Sequence, residues 1–251
     1  MSAAGVTAVE RVLDILEAFH AARKPLSLTD LAQAAGIPKS SCHAIVATLV
    51  ARGYFYTLKK PRALYPTRRF YDIARDIHRS DPLVDQVMPL LERLRDACRE
   101  TVILGKRQAD KVVYLQVLEG PHSIRYSARP GEFKPLHSSA IGKALLGSLK
   151  EDELRAELEG LDLHRVTEAT VTRTEDLVAD LLASRRRGYF LSQGENVPDV
   201  WAVSTFITIN AETIGVAIAG PKHRMEVNLQ ECIQLLLATC SFMAKQLSRA
   251  V

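Results

Sequence analysis

Apolar residues recur at helical spacing from Val9 through Val12, Leu13 and Leu16 to Phe19, and Thr7 with Glu10 has capping-box spacing ahead of them, so a first helix is expected there. Between Leu26 and Tyr56 the pattern becomes more specific. Ser27 precedes a new periodic run with Asp30 three places on, which starts a second helix near Leu28; Leu28, Leu31, Ala32 and Ala35 share a face, and Gly36 supplies the left-handed residue that ends it. Pro38 opens a third helix, in which Ile45, Val46, Leu49 and Val50 point inward while Lys39, Ser40, Ser41 and His43 stay near its outer N-terminal end. Two helices joined across a turn at 36–38 have helix-turn-helix geometry, whose second helix enters a DNA major groove. A helical hairpin with no nucleic-acid role shares the pattern and stays open at this point.

After Gly53 the run YFYTLKKPRALYPT mixes aromatic and apolar positions around Lys59, Lys60 and Arg62, which predicts two short strands joined by a basic turn at Pro61. Helical spacing returns from Arg68 to Ser80 through Phe70, Ile73, Ala74 and Ile77, with Pro82 as the stop; Arg68 and Arg69 at its start reach for phosphates or simply face water. A second domain begins near Leu83. It opens with an amphipathic helix through Val84, Val87, Met88, Leu91 and Leu94 that carries Pro89, followed by strands at Thr101–Arg107 and Val112–Leu118. The stretch from Ser123 reads as a strand, a Gly/Pro loop and a helix from Ser138 or Ser139; further helices are expected at Glu151–Leu158 and from Thr174 to Gly188. Strands at Tyr189–Leu191, Ala202–Ile209 and Thr213–Ala219 and a last helix from about Val227 to Arg249 complete a mixed α+β domain.

The 251 residues are 47% hydrophobic, which suits two ordinary domains, and charge divides them. Residues 1–80 hold 12 Lys plus Arg against 6 Asp plus Glu, a net of +6, whereas the remainder holds 21 against 23, a net of −2. A basic segment bearing a helix-turn-helix suits a polyanion. No apolar run approaches a span of about 18 to 20 residues and no signal-peptide pattern opens the chain, so a cytoplasmic protein with no membrane role is expected. Cys42, Cys98, Cys232 and Cys240 are scattered without a C-x-x-C pair, as buried thiols would be.

Little points to catalysis. The sequence lacks phosphate-loop, dinucleotide, H-E-x-x-H and nucleophile-elbow motifs and any His/Cys metal spacing, so no catalytic residue, metal or cofactor is assigned. His137 beside Ser138 and Ser139 has no third orienting group. The run HSSAIGK leads instead into a helix whose first N–H groups attract anions; Ser138 and Ser139 add hydroxyls and Lys143 adds charge, although plain capping explains the serines as well.

The runs VERVLDILEAF, LSLTDLAQAAGIPKSSCHAIVATLVARGYF, PLHSSAIGKALLGSL, RRRGYFLSQGEN and TIGVAIAGP together resemble the IclR-type transcriptional regulators over nearly the whole chain. The resemblance implies an α+β protein with a winged helix-turn-helix DNA-binding domain (1–66), a linker helix (67–82) and a C-terminal GAF-like mixed α/β effector-binding domain (83–251). It implies no enzyme but a regulator of transcription, repressor or activator, assembled as a homodimer or homotetramer on a roughly palindromic double-stranded DNA operator and modulated by a small-molecule effector. The alternative is a metabolite-binding enzyme that retains the helix-turn-helix for oligomerisation. The DNA-binding residues are then Lys39, Ser40, Ser41, His43, Arg52, Lys59, Lys60 and Arg62, with Ala44 at a position where relatives often hold arginine. The effector site falls on Gly131, His137, Ser138, Ser139, Ala140, Gly142, Ser192, Gln193, Ala202, Ala217 and Ala219. Alanines where relatives carry polar groups imply an organic acid with an apolar or aromatic body; plain core packing explains them equally.

Overall fold

Three helices form where the N-terminal apolar residues recur every three or four positions: α1 (Thr7–Ala22), α2 (Leu28–Ala34) and α3 (Lys39–Ala51). They are followed by strands β1 (Phe55–Lys59) and β2 (Arg62–Pro66) and by helix α4 (Arg69–His78). The computed structural model describes residues 5–60, 62–78, 82–209 and 212–247. It divides the chain into two compact units, Met1–Pro82 and Leu83–Val251.

In the first unit Ile15, Phe19, Leu31, Cys42, Val46, Phe55 and Leu64 form one core. Phe19 meets Phe55 edge-on at 5.3 Å, and Phe70 leans on Tyr54 at 4.8 Å, which fixes the root of α4 to the strand pair. The pair is antiparallel with Phe55 opposite Pro66, and Leu26 exchanges both backbone hydrogen bonds with Leu64. Val6, not Thr7, caps α1, without a side-chain hydrogen bond, and the face toward the core is Ile15, Ala18 and Phe19. Val9 and Leu13 are more than half exposed, because α1 carries two apolar sides and spacing alone does not say which one packs. The turn residue Pro61 and the end of the 68–80 helix at Ser80 lie outside the described residues. Pro82 is the first residue of the next helix, where a missing N–H costs nothing.

The second unit begins with α5 (Pro82–Cys98), which contains Pro89, and strands β3 (Thr101–Gln108), β4 (Lys111–Leu118) and β5 (Phe133–Pro135). Helices α6 (Ala140–Gly147), α7 (Glu151–Glu159) and α8 (Thr174–Arg187) follow. Strands β6 (Phe190–Gln193), β7 (Val200–Ile209) and β8 (Glu212–Pro221) lead into α9 (Lys222–Leu247). The strands form one antiparallel sheet in the order β5-β4-β3-β8-β7-β6.

Alternation along the strands builds two cores. Val102, Leu104, Val216 and Ile218 face α5 and α9, whereas Ile103, Ala217 and Ala219 face α6 and α8. The expected strand in Ser123–Ala128 is absent. Arg125 and Ser127 bind Glu119, and Thr101 Oγ1 donates to the Tyr126 carbonyl at 2.5 Å, so side chains rather than a ladder hold that segment. The last helix starts at Lys222, ahead of the expected Val227, and Arg249 lies outside the described residues. Contrary to expectation α9 is long and apolar enough, by length and composition, to cross a membrane. Its Met225, Cys232, Leu236, Cys240 and Met243 are instead buried in the core beside the sheet.

Candidate nucleic-acid interface and ligand cavity

The turn between α2 and α3 is built from local bonds. Ser27 Oγ accepts from the Asp30 amide at 3.2 Å, and Gly36, at φ 63°, lets its own amide reach the Gln33 carbonyl and that of Ile37 reach the Ala32 carbonyl. Cys42 and Val46 anchor α3 inward, leaving Lys39, Ser40, His43, Ala44, Ala47 and Thr48 exposed. Ser41 is half-buried and its Oγ accepts from Arg11 Nη1 at 3.1 Å, so α1 holds the side chain assigned to the outer face. Lys59, Lys60 and Arg62 are exposed around the hairpin turn. Arg52 is exposed, with its guanidinium 5.9 Å from the Tyr54 ring, and its carbonyl accepts from Arg69, which itself lies 4.7 Å from that ring. Arg68 pairs with Asp72 across one turn. Between α2, α3 and the hairpin lies an open groove of about 650 Å³ whose lining includes Lys39, His43, Ala47, Val50, Arg62 and Leu64.

In the second unit strand register decides which residues meet. Ser192 stands opposite Ala202, Ala202 opposite Ala219 and Ala217 opposite Ile103, so positions far apart in sequence form adjacent rows beneath α6. A cavity of about 30 Å³ sits there, large enough for a single water. Of the expected residues it is lined by Ser139, Ala140, Ser192, Ala202, Ala217 and Ala219. Gly131, His137, Ser138, Gly142 and Gln193 are not in its wall. Gly131 donates its amide to the Tyr114 carbonyl and so holds a lining residue in place. Gly142 lies against the Leu136 backbone, where an added Cβ would come within 2.2 Å of the carbonyl oxygen.

Residues 8–57 match the model of the IclR helix-turn-helix domain, and residues 76–249 match that of the bacterial transcriptional regulator IclR C-terminal domain. The chain belongs to the IclR family. It is 33% identical over 223 residues, 88% of this chain and 80% of the relative, to the HTH-type transcriptional regulator BhcR of Paracoccus denitrificans. Its fold matches the crystal structure of Thermotoga maritima IclR at a TM-score of 0.81 and 23% identity, over 96% of this chain and 98% of that one. It also matches an IclR homologue from Microbacterium hydrocarbonoxydans complexed with 4-hydroxybenzoate, at 0.76 and 23%, over 97% and 100%. An IclR-type regulator of transcription with a DNA-binding helix-turn-helix thus accounts for the basic first unit.

The hydroxyls of this IclR-family protein are arranged differently from the sequence expectation. Ser139 caps α6, accepting from the Gly142 amide at 3.2 Å and donating to the Pro135 carbonyl at 2.6 Å; its proton is therefore not offered to a ligand. Ser192 Oγ donates to the Ser138 carbonyl at 2.7 Å, and Ser138 Oγ is buried with no hydrogen-bond partner among the described residues. Lys143, expected to serve a ligand, is 2% exposed and bonded to Glu195 at 2.6 Å, Asp180 at 2.9 Å and the Leu191 carbonyl at 3.1 Å. Burial pushes the Glu195 carboxyl above its ordinary range, with the Lys143 ammonium working against that shift. Thr167 and Thr170 hydroxyls donate to the carbonyls of Gly194 and Glu195 at 2.7 Å each, which ties the start of the loop after β6 to the 167–170 turn.

Sequence reasoning missed Ile103, Tyr114, Tyr126, Asn196, Val197 and Val200 in the cavity wall. Alternation along β4 places Val112 and Tyr114 on one side and was sufficient to find Tyr114. Tyr126, Asn196 and Val197 carried no periodic signal, since none lies on a regular element with a repeat to read, and Val200 stands at the first residue of β7, ahead of the expected strand start at Ala202.

Proposed function

We propose that this IclR-family regulator senses an organic acid with an apolar or aromatic body and converts its binding into altered operator affinity or promoter output. The observation that carries this reading is the composition of the cavity wall, in which Ala202, Ala217, Ala219, Ile103 and the rings of Tyr114 and Tyr126 outnumber the polar groups. The opening turn of α6, Ser139–Ile141, forms one end of that wall and suits a carboxylate. The neighbour complexed with 4-hydroxybenzoate binds an acid of this kind. At about 30 Å³ the cavity holds no such molecule as it stands, so binding requires its wall to open. Gly131, His137, Ser138, Gly142 and Gln193 then support the site rather than touch the ligand.

In the first unit Ser40 and His43 read bases, while Lys39, Arg52, Lys59, Lys60 and Arg62 neutralise phosphates; Ser41, half-buried and bonded from Arg11, sets the position of the reader helix instead. One such head covers few base pairs, so a homodimer or homotetramer acts on a roughly palindromic operator. Exposed Val6, Val9 and Leu13 on and just before α1, with Tyr71 and Ile77 on α4, supply apolar surface for a second copy. The protein works in the cytoplasm, beside its DNA, and without catalysis. The ligand acts on DNA affinity through the 68–80 helix.

A thermal-shift screen of aromatic, branched and short-chain acids tests the ligand reading. Aromatic acids at a hundred times their Kd stabilise the fold by about 2.7 kcal/mol, and Ala219→Leu abolishes that gain. Stabilisation by only the smallest polar acids contradicts the reading, and turnover of a bound acid without operator binding favours the enzyme alternative. Replacing Ile73 and Ala74 together by glycine leaves ligand and DNA binding intact but removes the effect of one on the other, read as ligand-dependent operator titrations; undiminished coupling shows that the helix is not the lever.

A further inference from the structure

We infer that α3 recognises its operator chiefly through thymine C5-methyl groups, packed against Ala44, Ala47 and the γ-methyl of Thr48, with Ser40 and His43 as its polar base readers. The inference rests on α3 being the reader of an IclR-type helix-turn-helix and concerns what that helix has to read with. Bidentate recognition needs arginine or lysine for guanine and asparagine or glutamine for adenine. The helix from Lys39 to Ala51 holds no arginine, asparagine or glutamine, and its one long donor, Lys39, stands at its first residue on the edge of the groove shared with Arg62.

The hydroxyls are largely engaged as well. Ser41 is half-buried and bonded from Arg11 at 3.1 Å. Thr48 Oγ1 donates to the Ala44 carbonyl at 3.1 Å, which uses its only proton inside the helix and leaves a methyl group among what it offers outside. Ala44, Ala47 and Thr48 are exposed on this outer side, so its C-terminal part is a surface of methyl groups in a protein whose first 80 residues carry a net charge of +6.

The neighbouring groove extends the same chemistry. Ala47 and Val50 line it together with Lys39 and Arg62, so apolar and cationic side chains border one channel of about 650 Å³. A DNA strand matches that mixture. Its phosphates meet Lys39 and Arg62, its deoxyribose faces meet Val50, and its thymine methyls, which project into the major groove, meet Ala47 and Ala44. Small side chains also let the helix backbone lie close to the base edges, which brings those methyls into contact.

The test begins with selection of an operator from randomised duplex DNA by the full-length protein. Each thymine of the selected site is then replaced singly by deoxyuridine, which removes only the C5-methyl. Thymines under α3 lose about three- to five-fold in affinity on this change, and those elsewhere lose nothing. Cytosine at the same positions binds poorly, and 5-methylcytosine recovers part of the loss. Ala47→Ser, which exchanges the methyl for a hydroxymethyl group of similar size, reduces the thymine-to-deoxyuridine ratio toward one at its own position while the melting temperature stays within a few degrees of wild type. Ala44→Arg shifts the preferred base under residue 44 toward guanine. A selected operator bound equally well with deoxyuridine throughout overturns the inference and leaves the DNA-reader assignment standing. Failure to enrich any sequence overturns both.

Discussion

Lys143 heads the fully enclosed side chains of the second unit, and what surrounds it explains why the protein keeps a charge there. Its ammonium lies within 2.9 Å of oxygens from both Glu195 and Asp180, and Glu195 has only about a tenth of its side chain exposed. Removing one partner from such a pair leaves a buried charge uncompensated. Lys143→Met is therefore expected to cost about 3 to 5 kcal/mol in urea unfolding, and adding Glu195→Leu restores part of it because Asp180 also approaches Arg187. A double variant no more stable than the single one removes this account. His137 supplies a separate test. Its ring is 1% exposed and its Nε2 lies 2.9 Å from the His164 carbonyl, so the neutral ring donates there. Burial lowers its affinity for protons below the ordinary value of about 6.5. Between that value and the depressed one the unfolded chain binds the proton and the folded chain does not. Stability therefore falls as pH drops below about 6.5 and reaches its full loss beneath the folded value. His137→Gln flattens that part of the curve, read as the difference between wild-type and variant melting temperatures from pH 7 to pH 5.

At the scale of an element, two glycines perform different tasks and separate under the same substitution. Gly36 turns α2 into α3 at φ 63° with open space around it, so Gly36→Ala costs only the left-handed strain, about 1 to 2 kcal/mol. Gly142 has an ordinary helical conformation but lies against the Leu136 backbone at a distance no Cβ tolerates. Gly142→Ala must push α6 off that support and is expected to cost more than 3 kcal/mol and to weaken ligand binding, whereas Gly36→Ala weakens DNA binding alone. Comparing chemical denaturation with operator titration for the two variants checks the assignment; equal costs show that the packing at Leu136 yields more easily than its geometry suggests. The opening turn of α6 both lines the cavity and caps its own helix, so on the proposed ligand reading affinity follows the position of that helix.

For the whole molecule, the uneven distribution of charge has a measurable consequence. With about six phosphates contacted per bound head, log affinity against log salt falls with a slope of roughly −5. The double variant Lys59→Ala/Lys60→Ala makes the slope shallower by about 2 while the preferred operator sequence stays the same, because phosphate contacts set register and carry no base identity. A change in preferred sequence shows instead that the hairpin reads bases. On the proposed reading, a ligand of the near-neutral second unit shifts affinity by the same factor at every salt concentration and leaves this slope unaltered.

The sequence alone determined the first unit most fully, since helices, their glycine and serine ends and a basic hairpin depend on residues within a few positions of one another. It also carried the family, through blocks of residues in order, and most strands of the second unit, through alternation. It did not determine which side of α1 packs, because Val9 and Leu13 have the same spacing as the residues that do, nor that the 123–128 run forgoes a ladder for bonds to Glu119 and Thr101. The cavity belongs to the tertiary structure. Ser192 reaches Ser138 across 54 positions and Lys143 reaches Glu195 across 52, and no local pattern records such pairings. Only the folded sheet encloses a lysine that the sequence offers to a ligand, and turns scattered alanines into a wall. Register and burial are properties of surfaces in contact, and they exist once the chain has closed on itself.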